Sequence, residues 1–294
     1  MDRLAHPSPS RLAQATAPLD RGRTHQPVPS AGPDCWGDVF SRLIDGRPVC
    51  FVRPHDTARP TWVAYEQQRC LGTLHARTDL DGLWHVQTLG ERHALLDDAV
   101  RALRRPPAWP HERDRARRWA REVLADPDLL VVDIQTTGLH NPWAVQIGAV
   151  DGTGTVLIDE LVDPQADIEA AAGALHGLTA AHLRGAPVFG ALLPRLTPVF
   201  SGRRCVAYNA SFDRAVLERE LLRHHASRTP VRAWLGRCRW EDAMGPASVA
   251  KGLWSAEHGT YRNQRLGGRY DAAAKCRALL ENLRQVAGLS HDAI

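Results

Sequence analysis

The sequence has no long apolar run. No stretch approaches the roughly 18 consecutive apolar residues that a membrane-spanning helix needs, so we expect no membrane partner. The first residues, MDRLAHPSPSRLAQ, also lack the apolar core of a secretory signal peptide. These two absences predict a soluble protein of the cytoplasm.

Cysteine and lysine are both scarce. The six cysteines are scattered, and no two of them have the spacing of a metal site. A chain of 294 residues does not depend on a disulfide framework, so we expect a reducing compartment. With two lysines among 37 basic residues, positive charge comes almost entirely from arginine. The net charge of +4 is compatible with a nucleic-acid partner but does not by itself indicate one.

The length favours two domains, and the pattern of residues changes along the chain. Residues 1–33 are rich in Pro, Ser, Arg and Gln without periodicity, and we interpret them as a disordered tail. Residues 34–105 contain short β-like runs and then a helical pattern, which predicts a small β-meander plus helix domain. Trp62 and Trp84 there are either a base-stacking surface or core residues, and core is the commoner case.

Residues 106–126 read as a basic linker helix. Arg113, Arg117 and Arg121 share one helical face, and eight Arg against three acidic residues lie between 101 and 122. This face either follows a phosphate backbone or is a solvated surface with Glu–Arg pairs along the helix.

Residues 127–288 alternate strands and helices. LLVVDI, AVQIGAV and TVLIDEL are predicted strands, and the DGTG turn makes this part antiparallel. RCVAYN is a fourth strand, followed by a helix with Ser211 as its N-cap, and VRAWLGR is a fifth. We also predict helical segments at IEAAAGALHGL, TAAHLRG, FGALLPRLTPVFSG, 240–255 and 271–287. A mixed α/β sheet with helices on both faces follows.

Several motifs in this block occur in the order seen in a known family. They are DIQTTGL at 133–139, HGLT at 176–179, NASFD at 209–213 and GGRYDAAAKCRA at 267–278. The block resembles the DnaQ-like 3′–5′ exonucleases of the DEDD superfamily. The resemblance implies a ribonuclease-H-like mixed sheet flanked by helices, here preceded by the small α+β domain.

Members of that family cut phosphodiesters with two divalent cations held by four carboxylates, and a histidine acts as general base. The corresponding catalytic positions here are degenerate: Gln135, Tyr270 and Lys275 replace the family's Glu, His and Asp, while Asp133 and Asp213 remain. The resemblance also places Thr136, His176 and Asn209 in the cleft. Arg262, Arg265 and Arg269 are either phosphate contacts or ordinary surface residues.

The charge at the matched positions is too low for two cations. Asp133 and Asp213 contribute −2 and Lys275 contributes +1, against −4 in the family. Like charges a few Å apart cost on the order of several kcal/mol even at a high effective dielectric. We therefore expect Asp133 and Asp213 to bind a metal weakly or not at all, with no cofactor unless residual activity uses Mg²⁺ or Mn²⁺.

Two positions for the Lys275 ammonium are open. It either lies between Asp133 and Asp213 in place of a metal, or turns outward to pair with Asp271. Three further acids, Asp271, Glu160 and Glu241, are candidates for displaced ligands.

The sequence thus predicts an exonuclease-fold pseudoenzyme that binds a DNA or RNA end without cutting it. The alternatives are an active 3′–5′ exonuclease with altered ligands, and a protein-interaction scaffold whose partner binds residues 34–105.

Overall fold

A computed structural model describes residues 39–54, 60–77 and 82–289, so the predicted tail at 1–33 lies outside the described residues. The chain divides into two compact units. The first comprises residues up to Trp109 together with Gly252–Arg262, and the second comprises Pro110–Lys251 and the residues from Asn263 onward. None of the helices in the described ranges is long and apolar enough to cross a membrane.

The first unit is built on a six-stranded antiparallel meander whose strands follow chain order. Its strands are β1 (Val39–Ile44), β2 (Arg47–Val52), β3 (Thr61–Glu66), β4 (Arg69–Arg77), β5 (Leu83–Val86) and β6 (Glu91–His93). Helix α1 (Leu96–Leu103) packs its apolar face against this sheet. The predicted β-meander plus helix is confirmed, with β1 and β6 in addition to the predicted strands.

Trp62 and Trp84 pack in the core of this unit. Trp62 is completely buried, and the Trp84 ring meets it edge-on at 5.8 Å between centroids. Trp84 is half-buried and packs against the core cluster that contains Trp62, so the arrangement supports the core interpretation.

Three of the arginines between 101 and 122 are committed to ion pairs inside this unit. Arg101 pairs with Asp45 at 2.6 Å, Arg104 with Glu66 at 2.7 Å, and Arg105 with Glu91. Arg105 also donates from Nε to the carbonyl of Gly252 at 2.7 Å, which joins the later segment to the first unit. That segment holds the short hairpin β12 (Trp254–Ser255) and β13 (Thr260–Tyr261).

The basic helix is α2 (Trp109–Leu124), as predicted. Arg121 donates from Nε to the carbonyl of Ala287 at 3.0 Å, and Arg117 lies 3.7 Å from Asp114 one turn earlier. Arg117 and Arg121 thus bind partners within the fold, which favours the alternative of ion pairs over that of a phosphate-binding face. The Arg121 contact is a stabilising one, since cations stabilise the carbonyl end of a helix.

The second unit contains a five-stranded mixed sheet in the order β11-β10-β7-β8-β9. Its strands are β7 (Leu129–Thr136), β8 (Ala144–Asp151), β9 (Val156–Leu161), β10 (Arg204–Ala207) and β11 (Arg239–Asp242). The first three are antiparallel, as predicted, and β10 and β11 run parallel to β7. The helices are α3 (Ala170–His176), α4 (Phe189–Phe200), α5 (Ala210–His225), α6 (Arg228–Leu235), α7 (Met244–Lys251) and α8 (Ala272–Ala287).

The alternation of side chains along β7 separates two cores. Leu130, Val132 and Ile134 face a cluster shared with α4, α5 and α6. Leu129 and Val131 point the other way, toward α8 and Val123 of α2. Because successive strand residues point to opposite faces, Asp133 and Gln135 lie on the side of α8. The predicted mixed sheet with helices on both faces is confirmed.

Three local predictions are wrong. VRAWLGR is not a strand but lies in α6, because Val231, Trp234 and Leu235 bury one face at helical spacing. The fifth strand is β11 instead. TAAHLRG forms turns rather than a helix, and Asn209, not Ser211, occupies the N-cap position of α5.

The close approach of α8 to β8 depends on Gly148. A Cβ there would lie 2.5 Å from the carbonyl carbon of Ala272 and 2.7 Å from the nitrogen of Ala273. Both are backbone atoms, so the helix itself would have to move away from the sheet.

We expect Gly148→Ala to lower the free energy of unfolding by about 1–3 kcal/mol through overpacking. The matched control is Gly152→Ala, whose added Cβ would meet only Leu129 at 3.6 Å. Urea unfolding of both variants is the measurement. Equal stability of the two would contradict the close approach of α8.

Candidate active site

A cleft of about 620 Å³ in the second unit brings together most of the residues singled out from the sequence. It opens where β7 ends, and α3, α5, α8 and the loop before α8 complete its walls. Its lining includes Asp133, Gln135, Thr136, His176, Asn209, Asp213, Arg265, Tyr270 and Lys275. Arg269 lines a neighbouring depression instead, and Arg262 belongs to the first unit.

Gln135 is bonded directly to the first aspartate. Its Nε2 donates to Oδ2 of Asp133 at 2.6 Å, and its side chain is buried. The spacing of two residues along β7 places both groups on one face of the sheet. An amide donor therefore occupies a carboxylate oxygen that a metal would need.

Asp213 lies deeper in the cleft, with 6% of its surface exposed. Its Oδ1 accepts a hydrogen bond from the backbone nitrogen of Ile134 at 2.9 Å. Burial and the neighbouring charge of Asp133 hold the pKa of Asp213 well above its usual range. Burial raises the pKa of Asp133 to about 6, against the opposing effects of the Gln135 hydrogen bond and the Lys275 charge.

Lys275 takes neither of the two positions expected from the sequence. Its ammonium donates to the carbonyls of Leu266 at 2.8 Å and Gly267 at 3.1 Å, and it lies 4.0 Å from the centroid of the Tyr270 ring. Among the described residues, no ion pair within 4.0 Å joins it to Asp133, Asp213 or Asp271.

The predicted position of the ammonium between Asp133 and Asp213 is therefore wrong, because backbone carbonyls of the loop before α8 accept its hydrogen bonds instead. The side chain is 5% exposed, so the outward alternative is wrong as well. The charge still acts on the cleft: burial lowers the pKa of Lys275, and Asp133 opposes that shift.

The candidate replacement ligands have other partners. Asp271 caps α8 by accepting from the backbone nitrogen of Ala274 at 2.9 Å, and it also accepts from Gln146 at 3.0 Å. Glu160 pairs with Arg195 at 2.6 Å, and Glu241 accepts from Arg204 at 2.8 Å. None of the three lines the cleft, so each would need to break these bonds to reach a metal.

His176 and Thr136 use their polar atoms within the fold. The Nδ1 of His176 accepts from the backbone nitrogen of Leu178 at 3.0 Å, which leaves the proton on Nε2 for the carbonyl of Thr136 at 3.1 Å. Burial lowers the pKa of His176, so the neutral ring is favoured. Thr136 donates from its hydroxyl to the carbonyl of Gly138 at 2.8 Å.

The cleft also has apolar walls, which were not predicted from the sequence. These are supplied mainly by Ile134, Leu139, Leu175, Tyr208, Phe212, Met244 and Leu266. Leu139 and Leu175 are more than half exposed, which is unusual for large apolar side chains. Exposure of this kind is typical of a binding surface, but it is visible only in the structure.

The residues present do not fit a two-metal centre. Among the described residues, the cleft lining carries three carboxylates, those of Asp133, Asp213 and Glu169, and the three are not grouped so that they could hold an ion together. An amide is hydrogen-bonded to Asp133 and an ammonium lies nearby, so the site supplies too few anionic oxygens for two hard divalent cations. Within the described ranges, no group of three His, Cys, Asp or Glu side chains is arranged to hold a metal ion. We derive no metal-dependent step from this cleft.

Part of this domain is similar to known proteins. Residues 130–237 match the model of the exonuclease family RNase_T. The match extends over β7, β8, β9 and β10 and holds Asp133, Gln135 and Asp213. Tyr270 and Lys275 lie beyond it.

Two relatives illustrate the likeness in sequence. An uncharacterized exonuclease of Escherichia phage 186, CP81, is 31% identical over 100 residues, which cover 34% of this chain and 49% of the phage protein. A PolC-type DNA polymerase III of Caldanaerobacter subterraneus is 32% identical over 97 residues, covering 31% of this chain and 7% of the polymerase. This chain thus matches about half of the length of the phage protein.

Two solved structures are also similar. Exonuclease X in complex with 5′ overhanging duplex DNA has 24% identity and a TM-score of 0.37, covering 55% of this chain and 93% of that one. Cell-death related nuclease 4 has 12% identity and a TM-score of 0.36, covering 55% and 64%.

The raised pKa of Asp133 predicts how stability depends on pH. Between its ordinary value of 3.8 and about 6, the native carboxyl keeps a proton that the unfolded chain has lost. The native state then binds more protons, so the free energy of unfolding falls as pH rises through this window. Replacing the charge by Asp133→Asn should raise stability at pH 7 by on the order of 1 kcal/mol and change little at pH 4.

Urea unfolding from pH 4 to pH 7, with a chelator present, measures this effect. Asp167→Asn, at an exposed position that does not line the cleft, is the matched control. If the free energy of unfolding of Asp133→Asn fell with pH as steeply as that of the unaltered protein, a group other than Asp133 would be responsible.

Proposed function

We propose that this protein binds a nucleic-acid end in the exonuclease-fold cleft and is catalytically impaired or inactive as a nuclease. The observation that carries the proposal is the environment of the two remaining aspartates. An amide is bonded to Asp133, and the Lys275 ammonium is fixed nearby by two carbonyl bonds. The charge that two divalent cations require is therefore missing.

Tyr270 does not supply the missing general base. A phenol lacks the unprotonated ring nitrogen with which the family's histidine accepts a proton from water. Here its ring is also the surface on which the Lys275 ammonium rests, at 4.0 Å. The Lys275 ammonium would lose this contact if the ring were removed, so the two replacements form one structural unit.

The walls of the cleft suit a base better than a metal. Tyr208, Phe212 and Tyr270 offer aromatic surface, and Leu139 and Leu175 offer exposed apolar surface. Base stacking on aromatic side chains contributes about 1–3 kcal/mol per base and tolerates any sequence. Arg265 adds a cation to the same lining, where it can contact a phosphate.

We expect the unaltered protein to leave labelled single-stranded DNA and RNA intact in Mg²⁺ or Mn²⁺, because the cleft lacks the anionic ligands for two ions. Gel electrophoresis after incubation is the measurement. Shortening of the strand that Asp133→Ala abolishes would establish instead an active exonuclease with altered ligands.

The triple variant Gln135→Glu, Tyr270→His and Lys275→Asp should gain Mn²⁺ affinity, measured by calorimetry, because it restores the family's ligands. Gln135→Glu alone is the matched control: it adds one carboxylate but leaves the ammonium, so its gain should be smaller. Lys275→Asp also removes the bonds to Leu266 and Gly267, so circular dichroism should first confirm that each variant is folded. A folded triple variant without any gain would refute the assignment of these positions.

Arg265→Ala should weaken binding of a single-stranded oligonucleotide by roughly fivefold to tenfold. The slope of log K against the logarithm of the salt concentration should become less steep by about 0.7, as expected for one lost phosphate contact. Fluorescence anisotropy at several salt concentrations measures both quantities. Arg195→Ala is the charge-matched control, since Arg195 is exposed and does not line the cleft. Binding by neither the native protein nor the variants would favour a protein-interaction scaffold whose partner binds residues 34–105.

A further inference from the structure

A second depression adjoins the cleft within the second unit. It has a volume of about 620 Å³, and residues of α7, α8 and the loop before α8 line it. Tyr208, Arg265 and Leu266 line both the cleft and this depression. Because the two share these walls, one extended ligand can occupy both.

One face of α8 borders the cleft and the second depression in turn. Lys275 lines the cleft, and Asn282, seven residues later, lines the depression. Seven residues make close to two helical turns, so the two side chains leave the same side of the helix with a rise of about 10 Å between them. The depression is therefore placed to take the group that follows the one in the cleft.

The amide of Asn282 is not committed to the fold. The residue is half-buried, and no donor among the described residues bonds its buried Oδ1. A buried acceptor without a partner is unfavourable. Because no bond to Oδ1 fixes the amide, rotation about the last side-chain bond turns either its donor or its acceptor toward the depression. A second amide, the exposed Gln285, lines the same depression one turn later.

The remaining walls suit a flat ring with polar edges. Ala247, Ala250 and Ala278 are small and leave room for a ring. The hydroxyl of Tyr208 donates to the carbonyl of Gln264 at 2.6 Å, which fixes an aromatic side chain at the border with the cleft. An amide presents a donor beside an acceptor, and asparagine and glutamine bind the edge of adenine through both.

Arg265 lies where the linkage between two nucleotides would pass. Its side chain is exposed and belongs to both linings. A strand with one base in the cleft and the next base in the depression has a single phosphate between them. A guanidinium at the shared border is placed to contact that phosphate.

We propose that the second depression binds the second base of the strand end whose first base lies in the cleft, and that Asn282 makes this site selective for adenine. The inference rests on the proposed function, because it takes the strand end to lie in the cleft. Stacking in the cleft tolerates any base, so the sequence preference of the protein comes from this second site.

Fluorescence anisotropy with the full-length protein and single-stranded oligothymidylates of equal length tests the proposal. Each strand carries one of the four bases at the second position from its 3′ end or from its 5′ end. At one of the two ends, adenine should bind at least about fivefold more tightly than thymine, as one bidentate amide contact allows. The same adenine in the middle of the strand should give no advantage.

The outcomes separate this inference from the proposed function. Tight binding with equal affinity for all four bases at both second positions would overturn the adenine site and leave the proposed function standing. Absence of binding by every oligonucleotide would overturn the proposed function, and this inference with it.

Two variants assign the preference to Asn282. Asn282→Leu, which keeps the size of the side chain but removes both polar atoms, should bind the adenine and thymine strands equally. The matched control Gln68→Leu removes an exposed amide in the turn between β3 and β4 and should keep the preference. Asn282→Asp keeps only acceptors, so its preference should move from adenine to cytosine, whose amino group donates to carboxylates.

Circular dichroism should first confirm that each variant is folded. A folded Asn282→Leu that still prefers adenine would refute the role of Asn282. If neither Asn282 variant folds, the comparison of the four bases with the unaltered protein still decides whether the depression selects adenine.

Discussion

The shape of the cleft depends on the hydrogen-bond partners of one buried cation, the Lys275 ammonium. The Lys275 ammonium binds two carbonyls of the loop before α8 and rests on the Tyr270 ring. A buried charge without such partners would be costly, so the loop and the lysine hold each other in place. The same contacts fix the loop that carries Arg265, so the lysine sets the shape of this wall of the cleft.

Much of the second unit follows from sequence pattern. The apolar run LLVVDI and the DGTG turn predict the antiparallel strands, and the predicted helix at 271–287 is α8. The position of the Lys275 ammonium could not be predicted, because its acceptors are backbone carbonyls that no side-chain pattern reveals. For the same reason the bonds of His176 to the backbone of Thr136 and Leu178 became visible only in three dimensions.

The sequence pattern was ambiguous in two places, where only the packing of the fold decides between the alternatives. In α6, a short apolar run of Val, Ala, Trp and Leu fits a strand or a helix, and only burial of Val231, Trp234 and Leu235 on one face selects the helix. The arginine-rich stretch after residue 100 is the second case. Its composition allows either a phosphate-binding surface or a solvated helix, yet Arg101 and Arg104 are buried against Asp45 of the β1–β2 turn and Glu66 of β3.

The first unit is built from two segments that are far apart in the sequence, and this affects how the chain folds during synthesis. The meander leaves the ribosome early, but residues 252–262, which Arg105 joins to it through Gly252, emerge only after the whole five-stranded sheet has been translated. The early sheet must therefore persist without its final hairpin while the exonuclease-like domain is made. Nascent-chain intermediates of this protein should accordingly expose the surface that the hairpin later covers.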